Sequence, residues 1–539
     1  MAAIPATAVL FRTPCEPITA IVGARPPPGW LAFVTPEIVA AGDSPSPTLP
    51  SLMGPLVVAI DVGSSSIRAG LFDRLGRPRR GSFAQVAYSM SLDAEGGASV
   101  EVERLVEVLA VTLDRVVERA GAALADVAGV GISCFLHSVA GLDGAGRPIT
   151  PLLTWADTTS ARQAAELRGR LDQAALWQET GCPLHASYWP AKVLRLRATS
   201  GGNARTFAGA PDLLFAELTG RRAIDISQAS GTGLLDRRTG TWHAGLLGEI
   251  DLEPSALPEI APAGTSAPLD GWAADRWPGL GRVPWFVAWS DAVCGNIGLG
   301  CTAGRGAALQ VGTSGAIRVV VADPVPPVPA GLFAHRLADG SALVGGQLSE
   351  GGAVAAAIAS LVGETPRALE AAARNLAPDT HGLTILPYLA GERGPGYDAD
   401  ARGVVAGLTL RTSRAELYLA VLESIALRFA ALDVRLQDLV GEPPEIVASG
   451  GALARSPLWV AIIAAALGRT ILASSEGEAS SRGAALQTLK ATGVIGSPAE
   501  VPPPPARPVV PEPDRVSRYR EARDRQESLY ERMGSSREK

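Results

Sequence analysis

Two stretches that lie far apart in this chain have almost the same order of residues. Positions 62–68 read Val-Gly-Ser-Ser-Ser-Ile-Arg, and positions 311–318 read Val-Gly-Thr-Ser-Gly-Ala-Ile-Arg. Each stretch joins two apolar runs rich in β-branched residues, which predicts two β-hairpins with Gly/Ser/Thr tips. Glycine lets backbone N–H groups approach an anion, and hydroxyl side chains add donors without adding charge. An ordinary turn would explain one tip alone, whereas the repetition favours two tips that hold one polyphosphate between two halves of the molecule.

The overall composition limits the classes to which this chain can belong. Its 539 residues are too many for one hydrophobic core and predict two or three domains. The formal charge of −6, without any run of Lys and Arg, argues against a nucleic-acid partner. The longest apolar stretch, 459–467, is far shorter than the roughly 20 residues that cross a bilayer, so we expect no membrane partner. Five cysteines without ligand or disulfide spacing are typical of free thiols in a reducing compartment, which predicts a cytoplasmic protein.

Changes in residue pattern divide the chain into four segments. Residues 1–54 are Pro-rich, show no periodicity and are predicted to be poorly ordered. Met53 stands just before the first convincing strand and is therefore a candidate for the native start of translation. Strand and helix patterns alternate over 56–300 and again over 301–500, which is typical of two α/β domains. A Pro-rich linker and a charged helix with a mostly solvated face are expected over 501–539.

A third glycine turn lies in the second half. Residues 445–448 have the pattern of a strand, and Ser-Gly-Gly follows them. Ser456 and Pro457 then supply an N-cap and a first-turn proline for a helix. Gly450 and Gly451 would let a flat base or a ribose lie against the backbone, although a turn that serves only the fold has the same pattern.

The first tip differs from the second in carrying a carboxylate. Asp61 ends the apolar run beside the first tip, where one carboxylate suits a hydrated Mg²⁺ that also touches phosphates. Gln310 and Val311 occupy the corresponding place beside the second tip. We therefore predict a metal site at Asp61. The predicted phosphate contacts are Ser64, Ser65, Ser66, Gly312 and Thr313.

These motifs resemble those of a known family. The Asp-Val-Gly motif at 61–63, the Gly-Thr-Ser motif at 312–314 and the glycine pair at 450–451 follow the order of the two phosphate motifs and the adenosine motif of sugar kinases. These kinases are built on the actin and hexokinase ATPase fold. Residues 403–408 and, after a gap of seven residues, 416–423 are similar to the second signature of the FGGY carbohydrate kinases at every position.

The first signature of that family is met in part. Lys192, Val193 and Leu194 are in place, but Arg195 stands where the family usually has Trp. The resemblance covers about 56–500. It implies an α/β, two-lobed actin/hexokinase-like ATPase fold, in which two ribonuclease H-like domains enclose a cleft.

Within this family the chain looks most like the gluconokinase branch. The stretches that carry this likeness are 155–157, 312–318, 386–393 and 478–483, together with His185, Tyr188 and Lys192. The xylulokinase branch shares His137, but the neighbours Phe135, Leu136 and Ser138 differ from that branch. Thr159 also stands where the family often has Arg. A xylulokinase, or another pentulose or polyol kinase, is the alternative.

The resemblance implies a role for individual residues. Asp291 stands where the family places its catalytic base, although Ala288 and Trp289 replace a Gly that often precedes this Asp. The glycine pair would contact adenosine. The residues expected to contact the substrate are His137, Asp157, Leu136 and Lys192. Lys192 is one of only three lysines among 48 basic residues, so its compact ammonium group is a second reason to single it out.

The reaction implied by the resemblance is the transfer of the γ-phosphoryl group of ATP, with Mg²⁺, to a hydroxyl of a sugar acid or sugar. D-gluconate, converted to 6-phosphogluconate, is the substrate that the gluconokinase likeness favours. Arg162, Lys192 and Arg393 are candidate cations for its carboxylate. The small-molecule substrate is the expected partner, and a homodimer is left open. Two non-enzyme alternatives, a degenerate sugar-sensing protein and an actin-like ATPase, would keep the nucleotide motifs without transferring phosphate.

Overall fold

The computed structural model describes residues 54–200, 202–441 and 445–535. The predicted N-terminal extension, apart from Gly54, and the predicted start at Met53 lie outside these residues. The described residues belong to one compact unit. Within them, two sheets of seven strands each define an N-terminal and a C-terminal lobe.

The N-terminal lobe alternates strands and helices along the chain. Its strands are β1 (Leu56–Val62), β2 (Ser66–Phe72), β3 (Ala84–Ala87), β4 (Ser91–Leu92), β5 (Ala98–Val100), β6 (Val127–Cys134), β7 (Ala140–Leu142), β8 (Leu152–Leu153), β9 (Thr206–Ala208), β10 (Ala223–Ile224), β11 (Leu235–Asp236), β12 (Thr241–Trp242), β13 (Glu259–Ile260), β14 (Ser266–Ala267), β15 (Trp285–Phe286) and β16 (Trp289–Ser290). Its helices are α1 (Val102–Ala120), α2 (Ala161–Arg170), α3 (Gln173–Thr180), α4 (Trp189–Thr199), α5 (Ala210–Thr219), α6 (Ile226–Gly231), α7 (Ala244–Glu249), α8 (Gly271–Arg276) and α9 (Asp291–Gly298).

Strand β1 is the centre of the first large sheet. All seven of its residues are buried, as expected for a continuous apolar run that is covered on both faces. It pairs antiparallel with β2, with Val62 opposite Ile67, and parallel with β6. The order of strands is β14-β15-β6-β1-β2-β3, and β16 also pairs with β6. The first predicted hairpin is therefore confirmed.

The C-terminal lobe follows the same plan. Its strands are β17 (Ala307–Val311), β18 (Gly315–Val321), β19 (Phe333–Arg336), β20 (Ala342–Leu348), β21 (Thr384–Leu386), β22 (Val404–Ala406), β23 (Ile446–Ser449), β24 (Ile471–Ser474) and β25 (Ala506–Val509). Its helices are α10 (Gly352–Leu361), α11 (Pro366–Ala373), α12 (Arg414–Val440), α13 (Gly451–Arg455), α14 (Pro457–Leu467), α15 (Ala479–Ala491) and α16 (Pro513–Ser535).

Strand β17 has the same neighbours as β1. It pairs antiparallel with β18, with Val311 opposite Gly315, and parallel with β23. The order of this sheet is β19-β20-β18-β17-β23-β24-β25. The second predicted hairpin is confirmed, and the β2-β1-β6 arrangement of the first lobe recurs as β18-β17-β23 in the second.

Helices α9 and α15 pack against each other where the lobes meet. Helix α15 belongs to the second half of the chain but contacts β1 and β6 of the first sheet. Two glycines make this close packing possible, since a Cβ at Gly298 would overlap the carbonyl oxygen of Ala479 and a Cβ at Gly483 would overlap that of Cys294. The backbones of the two helices therefore touch.

The C-terminal segment differs from its prediction. Strand β25 pairs antiparallel with β24, so the domain boundary predicted at residue 500 falls before the last strand of the sheet. Helix α16 packs against α12 and α14 and buries Tyr519, Ala522, Gln526 and Leu529. These four residues recur at spacings of three and four, which place them on one face of the helix among charged neighbours. The prediction described only the solvated face formed by the charges of this helix and did not include this buried stripe.

Helices long and apolar enough to cross a membrane are not found in the described parts of the chain.

Candidate active site

Both hairpin tips border one cleft of about 290 Å³. The residues that line it come from both halves of the chain, and they are Asp61, Ser64, Arg68, Phe135, Trp155, Asp291, Gln310, 312–316, Arg318, 449–451 and 476–480. The cleft therefore brings together seven residues that the sequence singles out, namely Asp61, Ser64, Asp291, Gly312, Thr313, Gly450 and Gly451.

The first tip places Asp61 at the cleft. Asp61 is the last residue but one of β1, and its Oδ1 accepts a hydrogen bond from the Ser133 hydroxyl (2.9 Å). Burial raises the pKa of Asp61, while the Ser133 hydrogen bond and the charge of Arg68 oppose that rise. The N–H of Gly63 donates to the carbonyl oxygen of Ser66 (3.1 Å) and closes the turn.

Two predicted phosphate contacts do not reach this cleft. Ser65 is exposed, and Ser66, the first residue of β2, is buried with its hydroxyl accepting a hydrogen bond from Gln85 Nε2 (3.0 Å). Neither residue lines the cleft, whereas Ser64 does. Successive residues that enter a strand point to opposite faces, so three consecutive serines cannot all face one ligand.

The second tip is tied to the start of helix α10. The N–H of Gly312 donates to the carbonyl oxygen of Ser314 (2.9 Å), and the carbonyl oxygen of Gly312 accepts from the N–H of Gly352 (2.8 Å). The carbonyl oxygen of Thr313 accepts from the N–H of Ala353 (3.1 Å). These bonds hold the tip in one conformation, and no neighbour occupies the space that a Cβ at Gly312 would fill.

The glycine pair lies beside the second tip. Strands β17 and β23 run parallel with Gln310 opposite Ser449, so Gly312 and Gly450 follow the carboxyl ends of neighbouring strands. Gly450 has a φ of +111°, and a Cβ there would overlap the carbonyl oxygen of Val311. Only glycine fits this turn without strain.

Asp291 is the first residue of helix α9 and faces the same cleft. Ser290 caps the helix, since its hydroxyl accepts from the N–H of Val293 (3.3 Å), and the N–H of Ser290 donates to the Ser227 hydroxyl (3.1 Å). Burial raises the pKa of Asp291 to about 6, although the charge of Arg318 lowers it. A carboxylate with this pKa accepts a proton more readily than an ordinary one.

Sequence reasoning missed two arginines in the cleft. Arg68 forms an ion pair with Glu478 (3.2 Å), which joins β2 of the first lobe to the residue that precedes α15. Nη1 of Arg318 donates to Gln310 Oε1 (2.7 Å). Each arginine is the last residue of one of the two repeated stretches, so the repeat itself contained the signal that could have found them.

Lys192 lies in the fully buried interior of the N-terminal lobe. Its Nζ donates to the carbonyl oxygens of His137 (2.9 Å) and Thr154 (2.6 Å). Burial lowers the pKa of Lys192 to about 7, against the effect of the Asp157 charge. Lys192 thus holds two loops together. A direct contact between its ammonium group and the substrate stays a prediction.

The other predicted substrate residues surround these loops. His137 has a φ of +67°, and its Nδ1 lies 2.6 Å from the carbonyl oxygen of Gly231. Burial lowers the pKa of His137 well below its usual value. Asp157 is buried and accepts from the Ala98 N–H (3.1 Å) and the Thr159 hydroxyl (2.7 Å). At the position where the family often has Arg, Thr159 therefore donates a hydrogen bond to Asp157.

Leu136 packs in the apolar core rather than at the cleft. It is buried, and a Cβ at Gly231 would overlap its side chain. It also belongs to the apolar cluster between the lobes, with Ala484 and Leu489 of α15. The structure gives Leu136 a packing role and does not place it in the lining of the cleft.

Arg393 is a buried cation next to the cleft. Its guanidinium lies 5.0 Å from the ring centroid of Trp155, which lines the cleft, and its Nη2 donates to Gln347 Oε1 (2.6 Å). Nε of Arg393 has no hydrogen-bond partner, and no carboxylate lies within ion-pair distance of this arginine, among the described residues. Its charge contributes to lowering the pKa of both His137 and Lys192.

The two other candidate cations are already engaged. Arg162 is 79% exposed and lies 3.6 Å from Glu166 on the same helix. Lys192 holds backbone carbonyls, as described above. Of the three cations that the sequence suggested for a substrate carboxylate, Arg393 alone is buried beside the cleft without a carboxylate within ion-pair distance among the described residues. The charges of Glu350 and Asp291 reach it from farther away.

Two α/β lobes that enclose glycine turns, carboxylates and arginines are the arrangement expected of the two-lobed ATPase class. The model of the N-terminal domain of the FGGY family of carbohydrate kinases matches residues 56–298, and that of its C-terminal domain matches residues 307–492. The chain belongs to the FGGY family of carbohydrate kinases. It is therefore a phosphotransferase with an alcohol group as acceptor, as the sequence predicted.

Several relatives with different substrates are similar over most of the chain. A gluconokinase from Bacillus subtilis is 26% identical over 460 residues, which are 82% of this chain and 88% of that kinase. A xylulose kinase from Streptomyces rubiginosus is 28% identical over 452 residues, or 80% and 87% of the two chains. A glycerol kinase from Alkalilimnicola ehrlichii is 28% identical over 471 residues, or 82% and 91%.

Solved structures confirm the predicted actin/hexokinase-like fold. A gluconate kinase from Lactobacillus acidophilus superposes with a TM-score of 0.81 at 23% identity and covers 89% of this chain and 98% of its own. A ligand-bound xylulose kinase from the same organism gives a TM-score of 0.81 at 24% identity, covering 89% and 99%.

Proposed function

We propose that this protein transfers the γ-phosphoryl group of ATP to a hydroxyl of D-gluconate and releases 6-phosphogluconate. The observation that carries the choice of a sugar acid is the buried Arg393, whose Nε has no hydrogen-bond partner and which has no carboxylate within ion-pair distance among the described residues. The charges of Glu350 and Asp291 act on it only from farther away. The gluconokinases from Bacillus subtilis and Bacillus licheniformis, 26% and 25% identical, support the same choice.

Asp291 serves as the general base in this proposal. A sugar hydroxyl is a weak nucleophile, so its proton must be accepted as the bond to phosphorus forms. Asp291 borders the cleft at the start of α9, and its raised pKa of about 6 suits it to accept that proton near neutral pH. The carboxylate is held in place by the helix that it begins.

The two tips hold the phosphates. Thr313 offers its backbone N–H, Gly312 leaves the approach free of a side chain, Ser64 offers a hydroxyl, and Arg68 and Arg318 bring positive charge into the same cleft. The oxygen donors that Mg²⁺ prefers are present, since Asp61 borders the cleft beside the first tip. Asp61 would hold the ion, whose charge, when bound, offsets that of the phosphates. Gly450 and Gly451 leave room for the adenosine.

Arg393 binds the substrate carboxylate. A buried guanidinium without an ion pair costs free energy, and an anionic substrate supplies the missing partner. A neutral polyol cannot do so, and it would leave the cation unpaired. The enzyme should therefore discriminate in favour of sugar acids.

An ADP-release assay over several acceptors tests the proposal. Purified protein is assayed with ATP, Mg²⁺ and gluconate, xylulose, ribulose or glycerol, and we expect gluconate to have the highest kcat/KM. Equal kcat/KM for gluconate and xylulose would contradict the sugar-acid assignment. Release at the basal rate with every acceptor would contradict sugar phosphorylation itself.

A charge-neutral variant tests the role of Arg393. In Arg393→Gln we expect kcat/KM for gluconate to fall by roughly a hundredfold, and that for xylulose by much less, because a charged hydrogen-bond pair is lost only with gluconate. Arg162→Gln, which removes an exposed arginine, is the matched control and should retain the wild-type preference. An equal loss of kcat/KM with both acceptors would show that Arg393 does not recognise the substrate carboxylate.

A further inference from the structure

The C-terminal helix α16 lies outside both parts of the chain that the family models match, which are 56–298 and 307–492. It is nevertheless docked on the C-terminal lobe through a buried stripe that includes Tyr519 and Gln526. Two tyrosines of this helix, Tyr519 and Tyr530, each donate a hydrogen bond to a glutamate that is buried in the lobe. These two anchors have different surroundings.

The first anchor is remote from the cleft lining and holds the helix to the lobe. Tyr519 Oη donates to Glu423 Oε1 (2.8 Å), and His381 Nε2 lies 2.7 Å from Glu423 Oε2. Arg525 of the helix forms an ion pair with Asp379 (2.5 Å). The carboxylates of this cluster are thus already occupied by hydrogen-bond donors from the protein, and the cluster acts as a docking contact for α16.

The second anchor reaches the segment that carries Arg393. Tyr530 Oη donates to Glu392 Oε2 (2.6 Å). The other oxygen of Glu392 accepts from Arg428 Nη2 (3.0 Å) and from the N–H of Gly396 (3.1 Å). Arg428 also lies 3.4 Å from Glu527 of the same helix and stacks its guanidinium 5.1 Å from the Tyr530 ring. Glu392 is fully buried, so water cannot replace a lost donor.

The turn after Glu392 is built around its carboxylate. A Cβ at Gly396 would overlap both the Tyr530 hydroxyl and the Glu392 carboxylate, so the absence of a side chain there makes room for this hydrogen bond. The N–H of Tyr397 donates to the carbonyl oxygen of Arg393 (2.6 Å), and Tyr397 has a φ of +53°. This strained turn fixes the backbone from which the Arg393 side chain extends.

We propose that Tyr530 is a positioning residue for substrate binding, because it fixes Glu392 and, through the adjoining turn, Arg393. The inference rests on the proposed role of Arg393 as the group that binds the substrate carboxylate. Loss of the Tyr530 hydroxyl leaves a buried carboxylate oxygen without a donor, and the turn relaxes to find another. The C-terminal helix thus contributes to the substrate site although none of its residues lines the cleft.

Tyr530→Phe and Tyr519→Phe form a matched pair of variants. Each removes one hydroxyl that donates to a buried glutamate from the same helix. Because Glu423 Oε1 still accepts from the N–H of Asp379 (3.1 Å), we expect Tyr519→Phe to lower the Tm less than Tyr530→Phe. In Tyr530→Phe we expect the KM for gluconate to rise roughly tenfold, with the KM for ATP unchanged and kcat within a factor of about two. In Tyr519→Phe all three constants should stay near the wild-type values.

Equal KM values for gluconate in the two variants would overturn the positioning role and leave α16 with a docking role alone. Hydrogen exchange over 388–397 gives a readout that does not depend on activity. We expect faster exchange of this segment in Tyr530→Phe than in Tyr519→Phe, and identical exchange in both would also refute the proposal. If the wild-type protein phosphorylates no sugar acid, the proposed function fails, and the exchange experiment still decides whether Tyr530 fixes the turn.

Discussion

A single carboxylate, Asp291, combines two properties that conflict in a folded protein. Its position in the cleft suits it to accept a proton, but burial disfavours its charged form and raises its pKa to about 6. Such a conflict between stability and charge is common at catalytic sites. At the scale of the residue, the proposed mechanism therefore makes both the activity and the stability of the protein depend on the ionisation of Asp291.

Replacing Asp291 tests its proposed role as the general base. In Asp291→Asn we expect kcat to fall by roughly 10² to 10⁴, the usual contribution of a general base, while ADP binding changes little. Steady-state kinetics and calorimetric titration with ADP measure the two effects. Asp275→Asn removes an exposed carboxylate outside the cleft lining and is the control. Turnover at the wild-type rate in Asp291→Asn would place the base elsewhere.

The pH dependence follows from the direction of the same shift. Because the pKa of Asp291 is raised to about 6, the base is protonated below that pH, and kcat/KM should fall about tenfold per pH unit on the acid side. For stability, a raised carboxylate pKa means that ionisation opposes folding above about pH 6 and has no such effect below about pH 4.

The Tm of Asp291→Asn should therefore exceed that of the wild type at pH 8, and the difference should vanish towards pH 4. Thermal unfolding across this range measures it. A wild-type acid limb centred near pH 4, together with equal Tm values at pH 8, would show that the pKa of Asp291 is not raised.

At the scale of the element, the hairpins and the glycine turn show why short sequence motifs were enough to predict local structure. A strand, a tight tip and a second strand are local structures, so β-branched runs and glycines are enough to predict β1-β2 and β17-β18. Which serine of the first tip faces the cleft depends on the twist and pairing of β2, and the sequence pattern gave no means of choosing Ser64 over its neighbours.

The turn at Gly450 supplies the test at this scale. In Gly450→Ala the new Cβ would overlap the carbonyl oxygen of Val311, and the φ of +111° would be strained. We expect ADP binding to weaken by roughly tenfold or more, because strain of about 1 to 3 kcal/mol is relieved only by moving the turn. Titration calorimetry measures the change.

A helical glycine is the control for this substitution. Gly169 in α2 has open space around its Cβ position, so Gly169→Ala should bind ADP like the wild type. Unchanged ADP affinity in Gly450→Ala would mean that this turn does not contact the nucleotide.

At the scale of the whole molecule, helices α9 and α15 connect the base, the lobes and the cleft. Asp291 begins α9, Glu478 of the interlobe ion pair precedes α15, and the two helices touch at Gly298 and Gly483. The contact between the lobes and the position of the base therefore depend on the same helix crossing.

Enlarging that crossing is expected to disturb the molecule as a whole. In Gly483→Ala the added Cβ meets the Cys294 carbonyl oxygen, and overpacking of this kind costs about 1 to 3 kcal/mol. We expect a lower Tm by scanning calorimetry and a lower kcat, since α9 carries Asp291. Gly248→Ala, at a helical glycine with no neighbour near its Cβ position, should change neither quantity. A stable and fully active Gly483→Ala protein would refute this account of the crossing.

The family, the two lobes and the local turns could be predicted from the sequence alone. These depend on residues that are close in the chain, such as the tip at 312–315 and the strand and turn around Gly450, and local pattern specifies them. Asp61 and Asp291, which the sequence singled out, both line the cleft.

The surroundings of side chains that contact distant parts of the chain became visible only in the tertiary structure. Arg393 and Lys192 are both basic residues in matching motifs. Folding left Arg393 beside the cleft with no carboxylate of the described residues within ion-pair distance, and it gave Lys192 two backbone carbonyls. The hydrogen bond from Tyr530 of α16 to Glu392 joins residues that are more than a hundred positions apart in the chain. Such pairs depend on how whole helices and strands pack together. The local sequence pattern does not show which helix packs against which strand or helix.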